Sequence, residues 1–349
     1  MKIEIPASTH LQELGYPVFK IHSAVRVGKQ FGLSRNVMLK GTGLDEDALS
    51  DTTTIVSLGQ VASVYASFVE NGLGTEAAFA LGKALTPIQY GAFGVAIATA
   101  TSMAGGFDTV FLYPELECPV VRMPLEFHED MTHHIFKDNI QATGLHRFLI
   151  EVQTAMAVTF METVNGAPFP IQEAWFTYDG ADEKARYDAL FGCPLRFGQP
   201  YNAFLFETRA LKLPYVEANA LINADMNDLC SRQSLRLRKN QLFASRVTAL
   251  MTANLAASLT ADAVSAQLGI SERTLRRKLE DEGVTFKALL QQFRLRSAVH
   301  MIRNHRLAVD EIAHRLGYSA PSNFRSAFKS WTGLTVGEFS NLEEPLNRD

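Results

Sequence analysis

Three arginines close together, Arg273, Arg276 and Arg277, carry the most specific chemistry in this sequence. A guanidinium is a planar fork of N–H donors that stays charged at physiological pH. It suits bidentate contact with the O6 and N7 edge of guanine, and also contact with a phosphate. A second group lies further on: Pro321, Ser322, Asn323 and Arg325. Its polar members read base edges less stringently than an arginine trio. Lys329 and the hydroxyls of Ser271, Thr285 and Thr335 are candidates for phosphate contact, because hydroxyls and helix N-termini favour phosphate oxygens.

These groups act together only if helices place them on one outer face. Leu275 and Leu279 are spaced i, i+4 and define a buried stripe, so the three arginines point away from it. Phe324 and Phe328 repeat the spacing and leave Ser322, Asn323, Arg325 and Lys329 outside. Each segment is preceded by a shorter helical pattern ending in Leu-Gly, Leu268-Gly269 and Leu316-Gly317. Glycine accepts the left-handed backbone that ends a helix in a tight turn. Ala266 and Ala313, just before those glycines, are expected to let two helices cross closely, and Ser271 to cap the next helix. The pattern is a helix-turn-helix present twice. Two hairpins packed against something else would not explain three outward arginines. Between the units, residues 285–303 keep a helical period through Phe286, Leu289, Leu290, Phe293, Ala298, Met301 and Ile302. At ~1.5 Å per residue such a helix spans about 28 Å. One turn of B-DNA is about 34 Å, so the two reading helices are expected in successive major grooves.

The last hundred or so residues resemble the AraC/XylS family of bacterial transcription regulators. The resemblance rests on Ile312-Ala313, Leu316-Gly317-Tyr318, Asn323-Phe324, Ala327-Phe328-Lys329, Thr332-Gly333-Leu334-Thr335 and Glu338-Phe339. Val336 stands where the family usually has Pro, and Ser340 where a basic residue is common. The resemblance implies binding to double-stranded promoter DNA, contact with RNA polymerase and, usually, activation.

Charge supports the division of labour. From Leu235 to Ser340 there are 16 Lys+Arg against 8 Asp+Glu, a net of +8, inside a chain whose formal charge is -4. The rest is therefore at -12: a polyanion-binding part and an acidic part that should stay off DNA. Three separated cysteines, Cys118, Cys193 and Cys230, without a C-x-x-C spacing fit a reducing cytoplasm rather than a disulfide framework. The first residues lack an apolar signal core. The apolar stretch 91–104 is too short to span a bilayer and reads as one buried helix.

The first part, 1–230, reads as α+β, and 231–349 as an all-α domain of two helix-turn-helix units joined by a linker helix. Residues 8–18 and 23–31 are expected helical, 37–45 a loop, and 51–72 one long helix. Strands are expected at 120–128, 133–138, 169–178, 195–197 and 203–207, with helices at 144–164 and 181–190. Two helices, 226–233 and 236–247, are expected at the join. This part more loosely resembles the arabinose-binding-like sensor domain of regulators of the ornithine-utilisation type. The matching residues are Gly41-Thr42-Gly43-Leu44, Tyr90-Gly91-Ala92-Phe93-Gly94, Phe191-Gly192-Cys193-Pro194-Leu195-Arg196-Phe197 and Leu211-Lys212-Leu213-Pro214. That implies a small-molecule effector and a homodimer.

For the effector pocket the sequence offers Phe93, Trp175 and Tyr178 as walls and Arg122 and Arg147 as anchors for an acidic group. His128, Glu129, Asp130, His133 and His134 contain metal-binding residue types, but adjacent histidines on a strand face opposite ways, so no metal is expected. No cofactor motif is present. An enzyme fused to a DNA-binding tail would need an activated cysteine, and the three cysteines have no basic cluster nearby. A constitutive regulator whose first domain only dimerises is the remaining alternative.

Overall fold

A computed structural model describes residues 3, 9–12, 14–51, 53–239, 243–253, 259–281, 284–302 and 307–341. The chain divides into two compact units, Met1–Arg232 and Gln233–Glu344. The division falls inside one helix, Ala220–Lys239, where the sequence suggests two helices. Its continuous register has no Gly or Pro to interrupt it.

The first unit combines a helical layer with a sheet. Tyr16–Pro17 (β1) pairs with Ile55–Val56 (β2), so the expected helix over 51–72 is shorter. Ser57 sets its start with a capping box: the Ser57 hydroxyl accepts from the Gln60 amide while the Gln60 side chain accepts from the Ser57 amide. The helix then runs Leu58–Glu70. The segment expected as a loop at 37–45 begins with a short helix, Arg35–Leu39, capped by Ser34. The stretch 91–104 is broken into Gly91–Ala98 and the start of Met103–Leu112, because Ser102 caps a new helix.

The sheet is built from Val121–Arg122 (β3), Leu125–His128 (β4), Met131–Asp138 (β5), Glu173–Trp175 (β6), Leu195–Arg196 (β7) and Asn202–Glu207 (β8), in the order β3-β5-β8-β6-β7 with β4 also on β5. Among the described strands, only β6 and β7 pair in parallel. The two-residue alternation of β5 decides what each histidine does. Thr132, His134 and Phe136 are buried, and β5 contacts the 20-residue helix His146–Asn165. Ile135 on the opposite face joins Ala203 and Leu205 in a smaller cluster edged by Met131, Trp175 and Tyr201.

The second unit has two cores threaded by one helix, Phe286–His300. Phe286 and Phe293 enter the first core with Val247, Met251, Val264, Leu275 and Leu279. Ala298, Met301 and Ile302 enter the second with Ile312, Ala313, Leu316, Phe324 and Phe328. The α-helix is shorter than expected, about 22 Å at the standard rise, since Met301 and Ile302 follow as a wider turn; Arg303 lies outside the described residues. Val336, at the family's usual Pro, is buried in the second core.

Arg294 ties this connecting helix to the second turn. Its Nε donates to the Leu316 carbonyl at 3.1 Å, and its guanidinium lies 4.7 Å from the centre of the Tyr318 ring. Arg294→Ala is expected to destabilise the second core by about 1–3 kcal/mol, combining a charge-assisted hydrogen bond with a cation–π contact. Hydrogen exchange should speed up at 312–328 before 264–279; equal protection in both segments would contradict it.

Candidate functional site

The two helix-turn-helix units share one backbone device. Gly269 (φ 67°) and Gly317 (φ 74°) hold the left-handed position. Gly269 N–H donates to the Ala266 carbonyl and Ile270 N–H to the Ser265 carbonyl. The same pair recurs from Gly317 to His314 and from Tyr318 to Ala313. These bonds satisfy the carbonyls at the end of the helices Ala261–Gln267 and Val309–Arg315. One sequence expectation is corrected here. Ala266 is exposed, and the small residue buried at the crossing is Ser265, matching Ala313. The position four before the glycine faces inward, and the position three before it does not.

The first reading helix is Glu272–Asp281, capped by the Ser271 hydroxyl, which accepts from the Thr274 amide at 3.2 Å. Leu275 and Leu279 are fully buried, and Arg273, Arg276 and Arg277 are all exposed. They share a shallow surface with Glu272 and Glu280. Arg276 is bound to Glu272, Nε to Oε1 at 2.8 Å, whereas Arg273 and Arg277 have no ion-pair partner among the described residues.

The second reading helix is Pro321–Thr332, with Phe324 and Phe328 buried and Pro321 in its first turn. Ser322, Asn323, Arg325 and Lys329 are exposed. Arg325 is bound to Asp310 at 3.0 Å. Thr285 caps the connecting helix by accepting from the Ala288 amide, and Thr335 forms a reciprocal cap with Glu338. Thus Ser271, Thr285 and Thr335 each sit at a helix N-terminus.

Glu272 places a negative charge beside Arg273, Arg276 and Arg277, and it occupies Arg276. Glu272→Gln is expected to raise affinity for duplex DNA roughly 3- to 10-fold at low salt, with the gain shrinking as salt rises. Anisotropy titrations at two salt concentrations check it; a loss of affinity would mean that Glu272 orients Arg276.

The first unit holds a partly open cavity of about 70 Å³. Its walls come from Phe93 and Ile97, Met103, Phe107 and Val110, Met123, and Met156, Phe160 and Met161. Glu117, His134, Tyr90 and Tyr215 also line it. Glu117 Oε1, both ring nitrogens of His134 and the Tyr90 hydroxyl are buried without a hydrogen-bond partner among the described residues. Burial lifts the Glu117 carboxyl to about 7 even though nearby Lys20 pulls it down, and burial drops the His134 imidazole to about 3. Lys20 itself is fully buried and donates to the Cys118 carbonyl at 2.8 Å.

Of the five pocket residues expected from the sequence, only Phe93 lines this cavity. Arg122 is exposed on β3. Arg147 is committed to Glu151 at 2.8 Å, to the Thr75 hydroxyl and to Asp182, and lies over Tyr178. The Tyr187 hydroxyl donates to Glu151 at 2.6 Å and accepts from the Tyr178 hydroxyl at 3.2 Å. Arg147, Tyr178 and Tyr187 thus join one internal network around Glu151. Trp175 sits on the other sheet face beside His133 and donates to Glu173. Glu117, the methionines and the inward role of His134 escaped the sequence reading. Strand alternation was the one available signal, and it separates His133 from His134 without saying which goes in.

Among the described residues no group of three or more His, Cys, Asp or Glu is placed to hold a metal ion, and no helix is long and apolar enough to cross a membrane. Burial pushes the thiols of Cys118 and Cys230 up to about 12 and that of Cys193 to about 11. They are poor nucleophiles.

Residues 32–215 match the family model described as the arabinose-binding domain of AraC transcription regulator, N-terminal, and residues 264–341 match a helix-turn-helix domain. The HTH-type transcriptional regulator VqsM of Pseudomonas aeruginosa is 26% identical over 80% of this chain and 88% of its own length. The Ornithine utilization regulator of the same organism is 22% identical over 93% and 95%. The crystal structure of the transcriptional regulator CdpR from Pseudomonas aeruginosa aligns over 93% of this chain and 98% of that one, at 21% identity and a TM-score of 0.48. These relatives are regulators, not enzymes. The chain belongs to the AraC-type transcription regulators with an arabinose-binding-type N-terminal domain, and it is a DNA-binding regulator of transcription.

Proposed function

We propose that this regulator is a cytoplasmic homodimer that activates transcription by contacting RNA polymerase, and that a small-molecule effector controls it. The unit ending near residue 230 senses the effector and dimerises; residues 231–349 read the promoter. Arg273, Arg276 and Arg277 contact bases in one major groove, and Pro321, Ser322, Asn323 and Arg325 in the next. Ser271, Thr285, Lys329 and Thr335 hold phosphates.

The observation that carries this reading is the duplicated turn on a single connecting helix, with arginines exposed on the first reading helix. The cavity with unpaired polar atoms supports the effector. Its occupancy would shift the population of DNA-competent states in proportion to its preference between them.

Sequencing DNA selected by the full-length protein, with and without a metabolite extract, tests both parts. Enriched sites should hold two elements one helical turn apart, and the extract should change their enrichment. Sites that ignore the extract would favour a constitutive regulator. Absence of sequence enrichment under both conditions would remove the two-groove reading.

A further inference from the structure

We infer that the cavity beside Glu117 and His134 is the effector site, and that it takes a small, mostly apolar molecule with one hydrogen-bond-donating end, an amine or an alcohol. The inference rests on the effector-controlled reading above and deepens it. It runs against the sugar in the family's name and against an acidic ligand.

The chemistry of the walls leads there. A sugar has a hydroxyl on nearly every carbon, and each one buried without a partner costs about 1–3 kcal/mol. This cavity offers few polar partners between walls of Phe, Ile, Val and Met. An acidic ligand would need a cation, and among the described residues no Lys or Arg lines the cavity. It would instead meet the carboxyl of Glu117, whose Oε1 has no hydrogen-bond partner among those residues. That oxygen accepts only, or donates if protonated. The Tyr90 hydroxyl and the neutral His134 ring each add both a donor and an acceptor. One donating head group would satisfy Glu117 and leave the tail on apolar walls.

Size narrows the class. A volume of about 70 Å³ lies between that needed for one water, ~10–15 Å³, and the ~150 Å³ of a cavity that takes benzene. A chain of about four carbons fits that range. Met103, Met123, Met156 and Met161 supply adaptable walls, since an unbranched thioether side chain repacks readily. Longer or branched members of the class would enter by moving them.

The test uses the full chain labelled with ¹³C at the methionine methyls and four probes: 1-butylamine, 1-butanol, butyrate and arabinose. The amine and the alcohol should shift the resonances of Met103, Met123, Met156 and Met161 saturably at millimolar concentration. Butyrate and arabinose should not. Glu117→Gln keeps the shape and removes the anionic acceptor, so it should weaken butylamine about 10-fold or more and butanol less. Ala157→Leu, which fills the cavity from the helix His146–Asn165, should abolish both responses.

Equal or stronger shifts with butyrate or arabinose would overturn the ligand class. No shift with any probe would overturn the site, leaving the cavity to solvent. In the DNA-selection assay, an extract that acts equally on the parent and on Ala157→Leu would keep effector control but move it away from this cavity. An extract without effect on either would count against effector control itself.

Discussion

The double variant Arg273→Ala/Arg277→Ala is expected to lose affinity for its selected operator by about 100-fold or more at matched salt, because each well-placed bidentate arginine carries roughly 1–3 kcal/mol of discrimination. Its unfolding midpoint should stay within about 2 °C of the parent. Both side chains are exposed and without an ion pair among the described residues, so little native interaction is removed. The two residues are i, i+4, one turn apart on the helix Glu272–Asp281, and share the face opposite Leu275 and Leu279. The comparison with scrambled DNA separates two roles. If the arginines read bases, affinity falls much further on the operator than on scrambled duplex. If they hold only phosphates, the two affinities fall together and the salt dependence flattens. Unchanged operator affinity would remove the first reading helix from the interface. The Arg276→Ala variant is the milder companion, since that guanidinium must first leave Glu272.

The second large effect concerns the cavity. His134 and Glu117 are expected to tilt the pH dependence of stability in opposite directions, so that the parent conceals both. His134 is held at about 3, below its ordinary 6.5, by burial. The unfolded chain therefore binds a proton that the folded chain refuses. This contribution is fully present above pH 6.5 and is lost as pH falls toward 3, by about 2 kcal/mol between pH 7 and pH 5. Glu117 is raised to about 7 from 4.5, mainly by burial. Here the folded state keeps a proton that the unfolded state gives up. Its contribution is present at low pH and is lost as pH rises from about 4.5 through 7, so lowering pH from 7 to 5 restores about 2 kcal/mol.

Denaturant titrations at pH 7 and pH 5 of the parent, His134→Phe and Glu117→Gln would show this. Relative to the parent, His134→Phe should gain about 2 kcal/mol on acidification, and Glu117→Gln should lose a similar amount. A constant packing offset from either substitution cancels in the comparison of the two pH values. Three parallel profiles would mean that the two groups are hydrated in solution and that the cavity is more polar than its walls. A donating ligand should flatten the Glu117 contribution by giving the carboxylate a partner.

The DNA-binding half was legible because its signals are local. Leu275 and Leu279, Phe324 and Phe328, and Gly269 and Gly317 lie within a few residues of the groups they position. Helical period and the left-handed requirement of a tight turn act over that range. Where the reading slipped, it slipped by a geometric unit. The spacing puts Ala266 at the crossing, where Ser265 is the buried residue, and the helical period of 285–303 continues past the α-helical end at His300.

In the first unit the sequence indicates helices, strands and their mixture, but of its pocket candidates Arg122, Arg147, Trp175 and Tyr178 do not line the cavity beside Glu117 and His134. Composition identifies residues able to build a pocket. It does not say which of them already have partners. Arg147 is spent on Glu151, which is 1% exposed and bound also to Thr75 and Tyr187, far away in sequence.

By itself, then, the sequence determined the partition of charge, +8 over residues 235–340 against -12 elsewhere, and the duplicated reading unit, because both follow from composition and short-range period. Only the tertiary structure decided where a ligand has room. The cavity draws Tyr90, Glu117, His134, Met156 and Tyr215 from separate elements, and sheet register alone turns His134 inward and His133 outward. Burial then leaves polar atoms unpaired, a property of the packed interior that no stretch of sequence contains.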